Sequence, residues 1–298
     1  MVLAPIALFV YNRPWHTRQT VEALLENELA SSSMLFVFSD GPKGEQDAPA
    51  VQEVREYIKG ITGFASIEIV ERDANCGLTD NIIDGVTRII NEFGKIIVLE
   101  DDMVTSPYFL RFMNEALEFY KDETEVWHVS GWNYPIDPEG LPDTFLWRVM
   151  NCWGWATWAD RWQYYERGPK KLVGEFSKDE IKRFNLDGAH NFWGQVQGNV
   201  EGRIRTWAIF WYATIFKNDG LCLNPSQSLV QNIGHDGSGS HCGATKAKYT
   251  PLASSLPLIE HINIKENQET LKQIIHYYES ITPSFLKRLL GKIKRLIK

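Results

Sequence analysis

Along the first hundred residues, short continuous apolar runs alternate with stretches whose apolar positions recur at three- and four-residue spacing. PIALFVYN, MLFVFSD, SIEIVERD and KIIVLEDD predict strands, and RPWHTRQTVEALLENELA, AVQEVREYIKGI and NIIDGVTRIINEF predict helices between them. This repeated order predicts an α/β fold with a mostly parallel central sheet and helices on both faces. In open sheets of that kind ligands bind beyond the carboxyl ends of the strands. Those ends carry Asn12 and Arg13, Ser39 and Asp40, Arg72 and Asp73, and the cluster Glu100, Asp101 and Asp102.

After residue 103 the pattern changes. SPYFLRFMNEALEFY predicts a helix with Ser106 as its N-cap and Pro107 at its first position. Ten of the eleven tryptophans then fall between Trp127 and Trp211, and the strand-helix alternation fades, so this half is expected to do a different job. With no repeat or low-complexity linker in view, the two halves are expected to share one core. The organisation expected is a ligand-binding half over residues 1–102, a second half of the same domain over 103–250, and a C-terminal helical extension over 251–298.

Composition narrows the class. The chain has 298 residues, 44% of them hydrophobic, enough for a substantial core. No run of about 18 apolar residues occurs, and MVLAPIALFVYNRP lacks the basic segment and cleavage site of a secretory signal, so an intracellular protein is expected. Cys76, Cys152, Cys222 and Cys242 are widely spaced and form no CxxC pair, which argues for free thiols rather than a zinc site or a disulfide framework.

The chemistry centres on IIVLEDDMVTSPYFL, where a buried strand runs into three adjacent carboxylates. Such a cluster is costly unless a cation or a hydrogen-bonding loop compensates it. Mn²⁺ or Mg²⁺ is the natural compensation, since both prefer oxygen ligands and bind through one or two carboxylates plus substrate phosphates. An exposed acidic turn is the competing reading. Asp-Gly at Asp40 and Asn-x-Gly at Asn75 are turn sequences in their own right.

Taken in order, PIALFVYNRP, FVFSDGPKG, NCGLTDNI and IIVLEDDMVTSPYFLRFM resemble a GT-A glycosyltransferase that uses a nucleotide sugar. The EDD element with its following helix is similar to that of N-acetylglucosaminyltransferase I and its bacterial relatives. WGWATWADRW and SLVQNIGHDGSGSH resemble bacterial sugar transferases that build surface polysaccharides. The resemblance spans most of residues 4 to 245 and implies a Rossmann-like nucleotide-diphospho-sugar transferase fold. It implies that Asn12, Arg13 and Asp40 hold the nucleoside, and that Asn75 and Gly77 lie along the ribose and diphosphate. Arg72 would neutralise phosphate, Asp102 would bind the metal directly, and Glu100 and Asp101 would contact ribose or metal-bound water.

His235, preferred over His241 in IGHDGSGSH, is a further candidate metal ligand or phosphate cap on a glycine-rich loop. Trp153 and Trp155 are candidates to line an acceptor groove, because aromatic faces pack on sugar C–H surfaces. An inverting transfer needs a general base. Relatives often carry an acid after the tryptophan of a serine-tryptophan element, whereas RTWAIFWYA places Ala208 there, which leaves Glu201 and Asp236 as candidates.

Between Thr282 and Lys298 there are six Lys or Arg and no acid, so with a whole-chain charge of −7 the preceding 281 residues carry −13. The apolar residues of this tail recur at helical spacing, and a basic amphipathic helix is expected to lie on an anionic membrane. Nucleic acid is a poor partner for so acidic a body. The function expected is a metal-dependent UDP-sugar glycosyltransferase, inverting, acting on a glycan or lipid-linked acceptor at the cytoplasmic face of a bacterial membrane. The alternatives are a noncatalytic carbohydrate-binding or assembly protein, and a sugar-phosphate nucleotidyltransferase. The latter usually needs a glycine-rich loop after the first strand, and FVYNRPWH contains no glycine.

Overall fold

A computed structural model describes residues 1–237 and 251–281. Its first half follows the apolar pattern. β1 (Ile6–Val10), β2 (Met34–Ser39), β3 (Ser66–Glu71) and β4 (Lys95–Glu100) are parallel, and they are connected by α1 (Pro14–Leu25), α2 (Ala48–Lys59) and α3 (Leu78–Phe93). Pro14 starts α1 at a position where its missing N–H has no helical partner to lose. Gly94, at φ 77°, closes α3 in the left-handed region that favours glycine.

The second half extends the same sheet. After β5 (Met103–Thr105) and α4 (Phe109–Phe119) come β6 (Val126–Ser130), β7 (Thr144–Trp147) and β8 (Trp155–Trp158). Helices α5 (Ala159–Trp162), α6 (Pro169–Glu175), α7 (Lys178–Phe184), α8 (Trp193–Val200) and α9 (Ala208–Lys217) follow, then β9 (Leu221–Pro225), β10 (Val230–Asn232) and α10 (Gln268–Ile281). The eight-stranded sheet has the order β3-β2-β1-β4-β8-β6-β9-β7. β8 runs antiparallel to both β4 and β6, and β7 runs antiparallel to β9. Six of the strands therefore point one way, and the order reverses between β1 and β4, which makes their carboxyl ends the switch point of the sheet.

Alternate residues of β1 serve opposite faces. Ala7 and Phe9 join one core with Phe38, Val86, Trp155 and Phe210, whereas Ile6 and Leu8 join another with Val37, Leu99, Leu110 and Leu223. Each core thus draws on both halves of the chain. Trp147, Trp155 and Trp211 are among the largest fully buried side chains. The helix expected from Ser106 begins later, at Phe109. Phe109 N donates to Ser106 O, so residues 106–109 form a turn, and Ser106 Oγ accepts from Tyr108 N at 3.4 Å while donating to Ala253 O at 2.9 Å.

His128 of β6 is buried between aromatic rings, stacked on Trp155 with centroids 5.4 Å apart. Its Nε2 pairs with Asn151 O at 3.0 Å, and its Nδ1 accepts from Trp211 Nε1 at 3.3 Å, so the neutral imidazole is satisfied on both sides. Burial pushes its pKa down to about 3. A base whose folded value is depressed contributes stability that is fully present above the unfolded value, near 6.5, and is lost as pH falls toward 3. Between pH 6.5 and 5 this loss amounts to about 2 kcal/mol. In urea denaturation at both pH values the wild type should lose about 2 kcal/mol more than His128→Gln does.

Candidate active site

Because β1 and β4 are parallel neighbours, with Phe9 opposite Glu100, the residues that leave them meet beyond the sheet. Arg13 reaches across to the carboxylates. Its Nε donates to Asp101 Oδ2 at 3.3 Å, and its Nη2 donates to Asp101 Oδ1 and, at 2.9 Å, to Asp102 Oδ2. Burial pulls the Arg13 guanidinium down, but the attraction of Asp101 and Asp102 outweighs it and holds the charge more firmly than usual. Desolvation, and then the charges of Asp102 and Asp101, push the Glu100 carboxyl up from its ordinary range. Desolvation also raises Asp101, against the pull of Arg13. One resident cation, the Arg13 guanidinium, thus lies against two of the three adjacent acids.

Two buried atoms in this cluster have no hydrogen-bond partner among the described residues: Arg13 Nη1 and Asp102 Oδ1. Asp102 is only 6% exposed. The short strand β5 pairs antiparallel with β10 and so brings the segment after Asn232 onto the carboxylates. Ile233 N donates to Asp102 O, and a side chain at Gly234 would collide with Asp102 Oδ2 and with Arg13 Nη1.

At the end of β2, Asp40 organises a second wall. Its Oδ1 accepts from Gly41 N and Cys76 N, both at 2.9 Å, and its Oδ2 accepts from Asn75 Nδ2 at 3.0 Å and Gly77 N at 2.9 Å. Asp40 is 4% exposed, and its carboxylate pins the loop that leads into α3. Gly77 sits at φ 79° as the N-cap residue of α3, and a Cβ there would meet nothing within 4 Å. The first N–H groups of this 16-residue helix, on Leu78 and Thr79, belong to residues that line the cleft.

The resulting cleft has a volume of about 540 Å³ and lies over the switch point. Nine expected residues line it: Asn12, Arg13, Asp40, Asn75, Gly77, Glu100, Asp101, Asp102 and Trp153. Trp153 stands half-buried, edge-on to Trp132 at 4.6 Å and to His235 at 5.3 Å. The far wall comes from the turn into α9: Arg205, Thr206, Trp207 and Ala208. Arg205 is held by both oxygens of Asp80 at 2.6 and 2.5 Å, and its carbonyl accepts from Thr79 Oγ1.

Other expected residues lie elsewhere. Arg72 is not itself in the lining; it is paired with Asp84 and donates to Asn81, which does line the cleft. Trp155 is core, 1% exposed and stacked on Trp207 at 5.2 Å. Glu201 lies outside the cleft and pairs with Arg203. Asp236 also lies outside the lining and pairs with His16 Nε2 at 3.1 Å, while His235 packs edge-on against Trp153, next to Gly234, which lies against Asp102. His241 and the basic tail 282–298 fall outside the described residues. Sequence reasoning missed Tyr11, Lys43, Gln195, Arg205 and Asn232 in the lining. Tyr11 alone carried a signal, as the neighbour of Asn12 at a strand end.

Among the described residues no group of three or more His, Cys, Asp or Glu is arranged to hold a metal. The orphaned Oδ1 of Asp102 still fits a divalent cation of the kind bound by one carboxylate and completed by substrate phosphates and water. Asp102 is the residue that would hold it.

No family model matches the sequence, and no curated protein matches it. Solved structures give distant likenesses. S. aureus TarS 1–349 aligns with 9% identity and a TM-score of 0.41 over 76% of this chain and 59% of that one. Another S. aureus TarS structure aligns over 42% of this chain and 21% of its own, with 14% identity and a TM-score of 0.31. The mannosyltransferase PcManGT from Pyrobaculum calidifontis, in complex with GDP-Man and Mn²⁺, aligns with 10% identity and a TM-score of 0.40 over 73% of this chain and 69% of that one. The chain thus spans between a fifth and about two thirds of the length of these proteins.

Proposed function

We propose that the protein is a nucleotide-sugar-dependent glycosyltransferase whose donor lies in the cleft over β1 and β4. The observation that carries this reading is a buried, unpartnered carboxylate oxygen on Asp102 in a cleft whose other wall is a helix N-terminus behind a pinned glycine loop. A diphosphate suits both features, since helix N-termini favour anions and a divalent cation bridges phosphate to carboxylate. Asp102 would hold Mn²⁺ or Mg²⁺, which when bound stabilises negative charge on the departing diphosphate. The chain's own residues do the rest. Leu78 and Thr79 offer N–H groups to phosphate oxygens, Asp40 fixes the Asn75–Gly77 loop that approaches the ribose, and Arg13 keeps Asp101 in place.

On the acceptor side Trp153 is the half-buried aromatic that lines the cleft, held by Trp132 and His235. Ala208 leaves the entry of α9 without an acid. Trp153→Ala is expected to raise the acceptor KM about tenfold while donor hydrolysis stays within about twofold. Glu201→Ala, paired only at the surface, is expected to change kcat by no more than about twofold.

UDP is the first nucleotide to test, with a glycan acceptor and an inverting outcome as the resemblance implies. A membrane-linked acceptor would suit the basic composition of residues 282–298; among the described residues no helix is long and apolar enough to cross a membrane. A nucleotidyltransferase is disfavoured, because Pro14 leads the chain into α1 directly after Asn12 and Arg13, with no glycine-rich loop. The test is to incubate the protein with UDP-, GDP- and dTDP-sugars and Mn²⁺ and to follow release of the nucleoside diphosphate. Slow hydrolysis of one donor supports the reading. Tight sugar binding with no nucleotide release from any donor would point to the noncatalytic alternative.

A further inference from the structure

The carboxylate cluster already contains a cation. Arg13 leaves the end of β1, and its guanidinium takes both oxygens of Asp101 and one of Asp102. The group is well screened from water, with the side chain of Arg13 16% exposed and those of Asp101 and Asp102 7% and 9% exposed. One donor, Arg13 Nη1, and one acceptor, Asp102 Oδ1, are left over, both buried. A divalent cation added here would sit beside a positive guanidinium and gain one free carboxylate oxygen. Its attraction to Asp101 and Asp102 would be offset by repulsion from Arg13.

A nucleoside diphosphate changes that balance. Its oxygens bring negative charge that offsets Arg13 and supply the further ligands that the cation lacks. We propose that Arg13 is an internal counter-cation that competes with the divalent ion for Asp102, so that the ion binds tightly only together with a nucleoside diphosphate. This inference rests on the donor-site reading and adds to it an order of assembly and a residue that sets it. Binding of cation and nucleotide is then reciprocally coupled through Arg13.

The test needs no turnover. Mn²⁺ is titrated into the protein, with free aquo Mn²⁺ read by electron paramagnetic resonance, in the presence and absence of UDP. In the wild type UDP is expected to tighten Mn²⁺ binding by about tenfold or more, within the usual range of coupling between sites. Arg13→Gln is expected to bind Mn²⁺ alone about fivefold tighter or better, and to lose a similar factor of the UDP effect. Arg13→Lys, which keeps the charge, should bind Mn²⁺ alone within about threefold of the wild type.

An Arg13→Gln protein that binds Mn²⁺ alone no tighter than the wild type would overturn the proposal. So would UDP binding that leaves the wild-type Mn²⁺ affinity unchanged, a result that does not depend on any variant folding. A wild type that binds no UDP at all, with or without Mn²⁺, overturns the donor-site reading itself and is distinguishable from either outcome.

Discussion

Asp40→Asn is expected to unfold about 6–12 °C below the wild type and to lose nucleotide binding, although it changes only one atom. Both carboxylate oxygens of Asp40 are surrounded by donors: Gly41 N and Cys76 N on one, Asn75 Nδ2 and Gly77 N on the other. An amide must turn its own NH₂ toward one of those pairs. Donor then faces donor, and two N–H groups lose their acceptor in a site that is nearly dry. The cost is on the order of 3 kcal/mol, given about 1–3 kcal/mol for each buried group left unsatisfied. Asp40→Ala should be at least as damaging. Differential scanning calorimetry checks the first half of the expectation, and UDP binding checks the second. If the main role of Asp40 were to touch the ligand, Asp40→Asn would melt with the wild type and lose affinity alone.

Asp102→Asn has the opposite profile. Arg13 keeps both hydrogen bonds to Asp101, and removing one of three adjacent acids relieves repulsion, so the melting temperature is expected to match or exceed that of the wild type. Metal-dependent nucleotide binding is expected to fall by about a hundredfold or more, because the amide removes the negative charge that holds the cation beside Arg13. The two variants therefore separate the roles of the two aspartates. Asp40 shapes the wall, and Asp102 supplies the charge. Gly234→Ala should resemble Asp102→Asn in binding but not in stability, since its methyl would press on Asp102 Oδ2 and Arg13 Nη1.

The first four strands were legible in the sequence because each is a continuous apolar run between amphipathic helices, a purely local signal. The carboxylate cluster was legible for the same reason, as three acids at the end of such a run. The second half was not. β8 lies between β4 and β6 although it follows β7 in the chain, and no local pattern encodes that order. The pairing of β5 with β10 joins segments more than a hundred residues apart and is what carries Asn232 and Gly234 to the cleft. Trp153 and Trp155 look equivalent in WGWATW, yet Trp155 opens β8 and points into the core, while Trp153 lies in the preceding turn and faces the cleft.

Side-chain partners were the least legible feature of all. Arg72 had the right charge and position for phosphate, but it is paired with Asp84, nearly two helical turns into α3. Glu201 was chosen as an acid near Trp207, and Arg203, two residues on, holds it at the surface. Arg13 lines the cleft, and its guanidinium also neutralises the acids of the neighbouring strand, a contact that only the β1–β4 register reveals.

The most direct measurement is calorimetric titration of UDP and UDP-sugars into the wild type and Asp102→Asn, each with Mn²⁺ and with a chelator. Saturable binding that requires Mn²⁺ and disappears in a normally folded Asp102→Asn protein is the expected result. Binding that is indifferent to both the cation and the substitution, or no binding of any nucleotide sugar to a folded wild type, would contradict the account.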